Sequence, residues 1–324
     1  MNIFTLYHFY PDTCVIIFNV IKEINKSQGG STFMKRKLLP ALLIVAMVTL
    51  TGCSGEVSGK NTEAFQKLNL SSRYLLVYNY TDDVTIYAKN SNARTAPASL
   101  VKLMVILLAV ENTKDLDTRV ATRASDYKYI KAIVESDSND FVSGEKATIR
   151  DYLYAMMFHS SADASMTVLR YLGNGKMGTG VKMMNAKAKK LGMTHTNFED
   201  AIGDDKKSVY TTCSDMAKLM KYALKNDTFK TILTSSTYTI KADNKRSKDT
   251  NIHSSLLRHA GSDTLIQGGK LGFTPKAMKA IASYSKIDGK EYFVISTKAR
   301  ATIKNQYPNI TDSEKIYETI EKGL

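Results

Sequence analysis

Short β-rich runs bracket a long helical middle in this chain. Residues 74–80 and 84–88 are rich in aromatic and β-branched side chains and meet around Asp82-Asp83, which predicts a hairpin. Residues 99–111 are apolar nearly all round, the pattern of a helix buried on every face. Residues 148–158 predict a second helix, with Thr148 and Asp151 spaced as a capping box. Residues 162–172 predict a third, and residues 181–190 a fourth, ended by Gly192. Thr212 is placed to cap a fifth, over residues 213–224. Residues 264–267 predict the start of a strand, and residues 280–285 and 292–297 predict two more around the Asp288-Gly289 turn. Thr311 with Glu314 predicts the cap of a last helix that ends near Lys322. Strands, then helices, then strands, then a helix describe an α+β or mixed fold, in which both chain ends supply the sheet. A doubly wound dinucleotide fold would alternate instead.

A different pattern precedes these elements. Met34-Lys35-Arg36-Lys37 is a basic start, and residues 38–50 are apolar or small. That is a secretory signal, too short for an ordinary membrane-spanning helix. Its end, Leu50-Thr51-Gly52-Cys53, resembles a bacterial lipoprotein box. The resemblance implies a signal over 34–52, lipidation of Cys53, and a lipid-anchored place on the extracytoplasmic face of a bacterial cell membrane. An uncleaved anchor, or a secreted protein with a chance cysteine, is the alternative. Because the signal is complete without them, residues 1–33 are expected to be a non-native extension, with translation starting at Met34. Residues 54–61 are rich in Ser, Gly and charge, so 53–68 is expected to be a lipidated tether and 69–324 the folded domain.

Composition narrows the chemistry. The 324 residues are 43% hydrophobic and 23% charged, which excludes a disordered or collagen-like chain. The net charge of +14 suits an anionic partner. The lysines are dispersed, however, and no nucleic-acid-binding motif focuses them, so no nucleic acid is expected. Cys14, Cys53 and Cys213 are too few and too far apart for a disulfide framework or a zinc site. None of the five histidines has metal-ligand spacing, and neither a phosphate-binding Gly loop nor a G-x-S-x-G elbow is present. No metal or cofactor is expected. Serine and lysine chemistry remain.

Ser99-Leu100-Val101-Lys102 is an S-x-x-K, and residues three apart share a helix face. An amine desolvated by apolar neighbours loses basicity and can act as a base toward the hydroxyl. Ser99 also stands at the helix start, where free N–H groups favour a developing negative charge. The same spacing recurs at Ser125/Lys128, Ser143/Lys146 and Ser283/Lys286, but only Ser99 opens a long apolar helix. Ser160-Ser161-Ala162-Asp163 falls between two helices, placed either to point side chains into a cleft or to cap the following helix. Gly268-Gly269-Lys270-Leu271-Gly272 follows a strand signal, and glycine there permits close approach of a ligand or another backbone.

These three pieces, in this order, resemble the penicilloyl-serine transferases, whose class A β-lactamases and penicillin-binding proteins carry S-x-x-K, S-D-N and K-T-G. Residues 96–104 and 269–275, with Tyr210-Thr211-Thr212 and Asp215-Met216-Ala217, look most like the low-molecular-weight D-Ala-D-Ala carboxypeptidases. The resemblance implies a β-lactamase/DD-peptidase-like fold: an antiparallel five-stranded sheet flanked by helices, plus a helical subdomain. It implies Ser99 as acylated nucleophile, Lys102 as base and Ser161 as proton relay. Lys270 would hold the substrate carboxylate and tune Ser161. The N–H groups of Ser99 and Phe273 would form an oxyanion hole. Asp163, Leu271, Gly272 and Phe273 would meet the substrate, a peptidoglycan stem peptide ending in D-Ala-D-Ala, with β-lactams as inhibitors.

Two departures stand out in this reading. Asp163 occupies the Asn position of the second motif, and Leu271 the hydroxyl position of the third. One lost charge-assisted hydrogen bond costs about 1.5–3 kcal/mol. A catalytically weak or inactive wall-binding lipoprotein is therefore one alternative. A class A-like β-lactamase is another, although Glu199 lacks the Asn four residues on that its deacylating loop requires.

Overall fold

A computed structural model describes residues 59–133 and 139–323. The expectations for the Met34 start, the signal and the lipidated Cys53 lie outside the described residues. In chain order the elements are α1 (Gly59–Gln66), β1 (Tyr74–Asn79), β2 (Val84–Lys89), a 3-10 turn (Ala98–Leu100), α2 (Val101–Asn112), β3 (Arg119–Ala121), α3 (Ala124–Ile133), β4 (Lys146–Thr148), α4 (Ile149–Phe158), α5 (Ala162–Leu172) and α6 (Met177–Lys190). They continue as α7 (Cys213–Ala223), α8 (Asp227–Thr234), β5 (Thr237–Ile240), β6 (Thr250–His253), α9 (Ser255–Ala260), β7 (Gly268–Thr274), β8 (Met278–Ile287), β9 (Lys290–Ala299) and α10 (Pro308–Glu321).

The central sheet has five antiparallel strands in the order β2-β1-β9-β8-β7. The chain leaves the sheet after its first hairpin and returns for the last three strands. Side chains alternate along each strand and serve two cores. Leu76, Ala282, Tyr284, Phe293 and Ile295 face a large helical core that contains α2, whose residues from Val101 to Ala109 are all buried. Leu75, Val77, Ile281, Ile287 and Val294 face a smaller one, closed by Phe65 of α1 and by Ile316, Tyr317 and Ile320 of α10. The β3–β4 ribbon, α3, α4, α5 and α6 belong to the helical side, the subdomain expected from the resemblance. Sheet and subdomain meet along α2.

Local signals account for most helix ends. Thr148 and Asp151 form a reciprocal capping box on α4, and Thr212 caps α7. The β8–β9 turn places Asp288 and Gly289 at φ 49° and 79°, the left-handed pair of a type I′ turn.

Four boundaries differ from the sequence expectations. The tether stops short of residue 68, because α1 is helical and Phe65 is buried with its ring stacked on Tyr87 at 5.2 Å. The α6 helix starts at Met177, four residues before 181. Residues 264–267 precede β7 rather than form its start. The last helix begins at Pro308, whose fixed φ suits the first helical position. Thr311 is then inside α10, and its hydroxyl accepts from Asn305 Nδ2 at 3.1 Å.

The closing helix is tied to the first strand by one carboxylate. Asp312 accepts from Ser71 N–H (3.0 Å), Ser72 N–H (2.7 Å) and Ser72 Oγ (2.6 Å), and both Ser72 and Asp312 are buried. Asp312→Ala strands those donors, so it is expected to lower stability by about 3 kcal/mol, readable as a lower urea midpoint. An unchanged midpoint would show that the bonds are replaced by water.

Candidate active site

Ser99 sits in the tight turn that runs into α2, and the turn is strained. Ala98 takes φ 46°, a left-handed conformation that costs a non-glycine residue about 1–3 kcal/mol. Two glycines hold it there. Gly203 takes φ +89°, and a Cβ on it would lie 2.0 Å from the Ala98 carbonyl oxygen. A Cβ on Gly272 would lie 3.3 Å from Ser99 N. Backbone thus packs on both sides of the serine, and the edge strand β7 runs against it.

Lys102 is the second residue of α2, three positions after Ser99, and its Nζ donates to Ser99 Oγ at 3.1 Å and approaches the Ile202 carbonyl at 3.5 Å. Only 1% of its surface is exposed. Burial pulls its pKa down to about 8, against the charges of Asp200 and Asp163. Asp200 sets the carbonyl partner in place. Its Oδ1 accepts from the N–H of Ile202 (2.8 Å) and of Gly203 (2.6 Å), which curls that segment over Lys102.

Lys270 comes from β7 and is equally buried. Its Nζ donates to the Leu271 carbonyl at 2.7 Å. Burial, and then the nearby charge of Lys102, push its pKa well below the ordinary lysine value. Two buried amines of reduced basicity therefore flank Ser99.

Ser99, Lys102, Ser160, Lys270, Phe273 and Lys279 all line one open cavity of about 610 Å³. That is within the size range of small-ligand sites. Leu271 and Gly272 also line it. Phe273 stands at the rim, 59% exposed. Six of the eight expected residues, Ser99, Lys102, Lys270, Leu271, Gly272 and Phe273, are thus brought together by segments far apart in sequence.

Ser161 and Asp163 correct the reading of the second motif. Ser161 is fully buried at the start of α5, and its hydroxyl is spent on Asp163. Asp163 is also buried, and accepts from Phe141 N–H (2.9 Å), Ala164 N–H (2.8 Å) and Tyr127 Oη (3.2 Å). It ties residues 139–141 and α3 to the head of α5. Neither side chain lines the cavity. The serine that does is Ser160, held at φ 64° just before the helix. With Ser160 first, the third motif position is Ala162, which is buried and has no polar side chain. The doubled Ser160-Ser161 concealed the register: the residue next to the helix turns into its first turn, and the preceding one is left in the cleft.

The sequence reading missed other lining groups. Gly203, with its turn, was unmarked, as was His159, whose Nδ1 lies 2.6 Å from Asp140 Oδ1 and whose pKa that hydrogen bond raises. Lys279 was unmarked as well. Glu199 is exposed, and among the described residues no glutamate lines the cavity.

This geometry agrees with known proteins. The family described as D-alanyl-D-alanine carboxypeptidase matches residues 60–300. The D-alanyl-D-alanine carboxypeptidase of Streptomyces sp. (strain K15) is 29% identical over 67% of this chain and 77% of its own length. D-alanyl-D-alanine carboxypeptidase DacF of Bacillus subtilis is 28% identical over 59% of this chain, which spans about half (48%) of that relative. Among solved structures, the Streptomyces K15 DD-transpeptidase superposes with TM-score 0.72 at 22% identity, over 80% of this chain and 99% of that one. The D-alanyl-D-alanine carboxypeptidase of Mycobacterium tuberculosis H37Rv gives 0.69 at 21% identity, over 79% and 93%. A serine with a buried lysine beside it, at the edge of this sheet and inside this family's matched span, leaves one assignment: the chain belongs to the D-alanyl-D-alanine carboxypeptidase family of serine peptidases.

Proposed function

We propose that the chain removes the terminal D-alanine from peptidoglycan stem peptides ending in D-Ala-D-Ala, through an acyl-enzyme on Ser99. The 3.1 Å contact between Ser99 Oγ and the buried Lys102 amine carries the reading. Neutral Lys102 takes the Ser99 proton as Oγ attacks the carbonyl of the penultimate D-Ala. The N–H groups of Ser99 and Phe273, with the start of α2, stabilise the oxyanion. The C–N bond breaks, and the leaving amine receives the proton held by Lys102, passed on through the Ser160 hydroxyl, which leaves Lys102 neutral again. Lys270, on the same cavity wall, tunes that hydroxyl. Water then attacks the ester, Lys102 takes its proton, and the shortened peptide leaves with Ser99 restored. A β-lactam enters the same way, but its opened ring stays attached.

Membrane attachment through lipidated Cys53, on the extracytoplasmic face, fits this substrate, which lies outside the cytoplasmic membrane. A signal immediately ahead of Cys53 supports it. A weaker or inactive wall-binding protein is the second reading, favoured by Ala162 and Leu271, which offer the substrate no side-chain donor.

The test is incubation with penicillin followed by digestion and mass mapping, beside an assay of D-alanine release from an acyl-D-Ala-D-Ala peptide. A penicilloyl group on the Ser99 peptide together with released D-alanine is the expected result. An adduct without D-alanine release would favour the weak-enzyme reading. No adduct would overturn the serine mechanism.

A further inference from the structure

Three lysines line the cavity, and two of them are poor anchors for an anion. Lys102 and Lys270 are buried, and each holds its proton less firmly than an ordinary lysine. Lys102 is turned to Ser99, and Lys270 donates to the Leu271 carbonyl. At the next position Leu271 supplies an apolar side chain.

Burial lowers the basicity of Lys279 as well, but its surroundings differ from those of the other two. It is the second residue of β8, directly across from Phe273 of β7. Its Nζ lies 4.9 Å from the centroid of the Phe273 ring and 4.9 Å from that of Tyr307, and all three side chains line the cavity. It is only partly buried. Among the described residues no carboxylate pairs with it, whereas the cavity's own acids are engaged: Asp205 by Thr274 and Lys276, and Asp204 by Lys206 at 3.2 Å. His159, the other basic group on the wall, is paired with Asp140. Two aromatic faces orient the ammonium and remove part of its water, while its N–H donors stay available.

We propose that Lys279 is the specificity-determining cation that binds the terminal carboxylate of the substrate, with Phe273 and Tyr307 holding its ammonium at the cavity mouth. This rests on the carboxypeptidase reading, and it moves the carboxylate contact from Lys270 to a residue four positions past Pro275.

The probe is an N-acylated D-Ala-D-Ala peptide and the same peptide ending in a carboxamide. Both are titrated by NMR into the Ser99→Ala protein, where binding is read without turnover. The free acid is expected to bind about 10- to 100-fold tighter than the amide, the range of one charge-assisted bond. Adding Lys279→Gln is expected to bring that ratio close to one, and Lys279→Arg to restore most of it. An unchanged ratio in the Lys279→Gln protein, or no preference for the acid before it, overturns the proposal. The carboxypeptidase reading fails separately, by the absence of a penicilloyl adduct on Ser99 in the unaltered protein.

Discussion

Lys102→Gln is expected to slow acylation by penicillin by about 10²- to 10⁴-fold, the range of a positioned general base. The glutamine, one atom shorter, keeps the side chain polar but cannot take the Ser99 proton. The pH profile gives the sharper readout. With its pKa lowered to about 8, Lys102 is mostly protonated at pH 6 and mostly neutral at pH 9. The reactive form is the neutral amine. The acylation rate of the parent protein should therefore rise about tenfold per pH unit below 8 and level off above it. The variant should lose that rising limb. Lys102→Arg should be equally slow, because guanidinium keeps its charge at every accessible pH. That variant separates the base role from a purely electrostatic one. If the limb survived in Lys102→Gln, the titrating base would be Lys270, the other buried amine. Stopped-flow acylation between pH 5.5 and 9.5 decides between them.

Ser160→Ala and Ser161→Ala are expected to behave in opposite ways. Loss of the Ser160 hydroxyl should cut acylation by about 10²-fold or more, by removing a proton-transfer group, and leave the melting temperature nearly unchanged. Ser160 lines the cavity, so nothing in the core depends on it. Ser161→Ala removes a buried bond to Asp163 and leaves that carboxylate with one donor fewer. A stability loss of about 1–3 kcal/mol follows, with acylation near the parent rate. Acylation rates and thermal melts of the two proteins form the test. A silent Ser160→Ala with an inactive Ser161→Ala would reinstate the assignment made from the sequence.

The Ser160/Ser161 exchange shows where sequence reasoning loses resolution. The motif's location between α4 and α5 was legible, because the helix signals on both sides are local. Which hydroxyl faces the cleft depends on one residue's φ, and a left-handed serine leaves no mark in composition. Asp163 misled for a related reason. Its chemistry resembled a replaced substrate ligand, yet its carboxylate is consumed by Phe141 and Tyr127, whose partnership no periodicity reveals. Leu271 and Phe273 line the cavity because they adjoin Lys270 on one short strand and move with it.

Periodicity, capping pairs and turn dipeptides act over a few residues. They were enough to place the first hairpin, the all-apolar helix behind Ser99, the capped helices and the Asp288-Gly289 turn. The Ser99/Lys102 pair was equally legible, since a helix brings positions three apart together wherever it lies. The remainder of the site is non-local. The Ile202 carbonyl that meets Lys102 lies 100 residues further along the chain. Gly203 matters because it packs on Ala98, and Lys279 because β8 sets it between Phe273 and Tyr307. Such contacts exist only once the sheet has closed from both chain ends. Burial then lowers the basicity of Lys102 and Lys270, so the chemistry at Ser99 is a property of packing, which determines the dielectric around each charge.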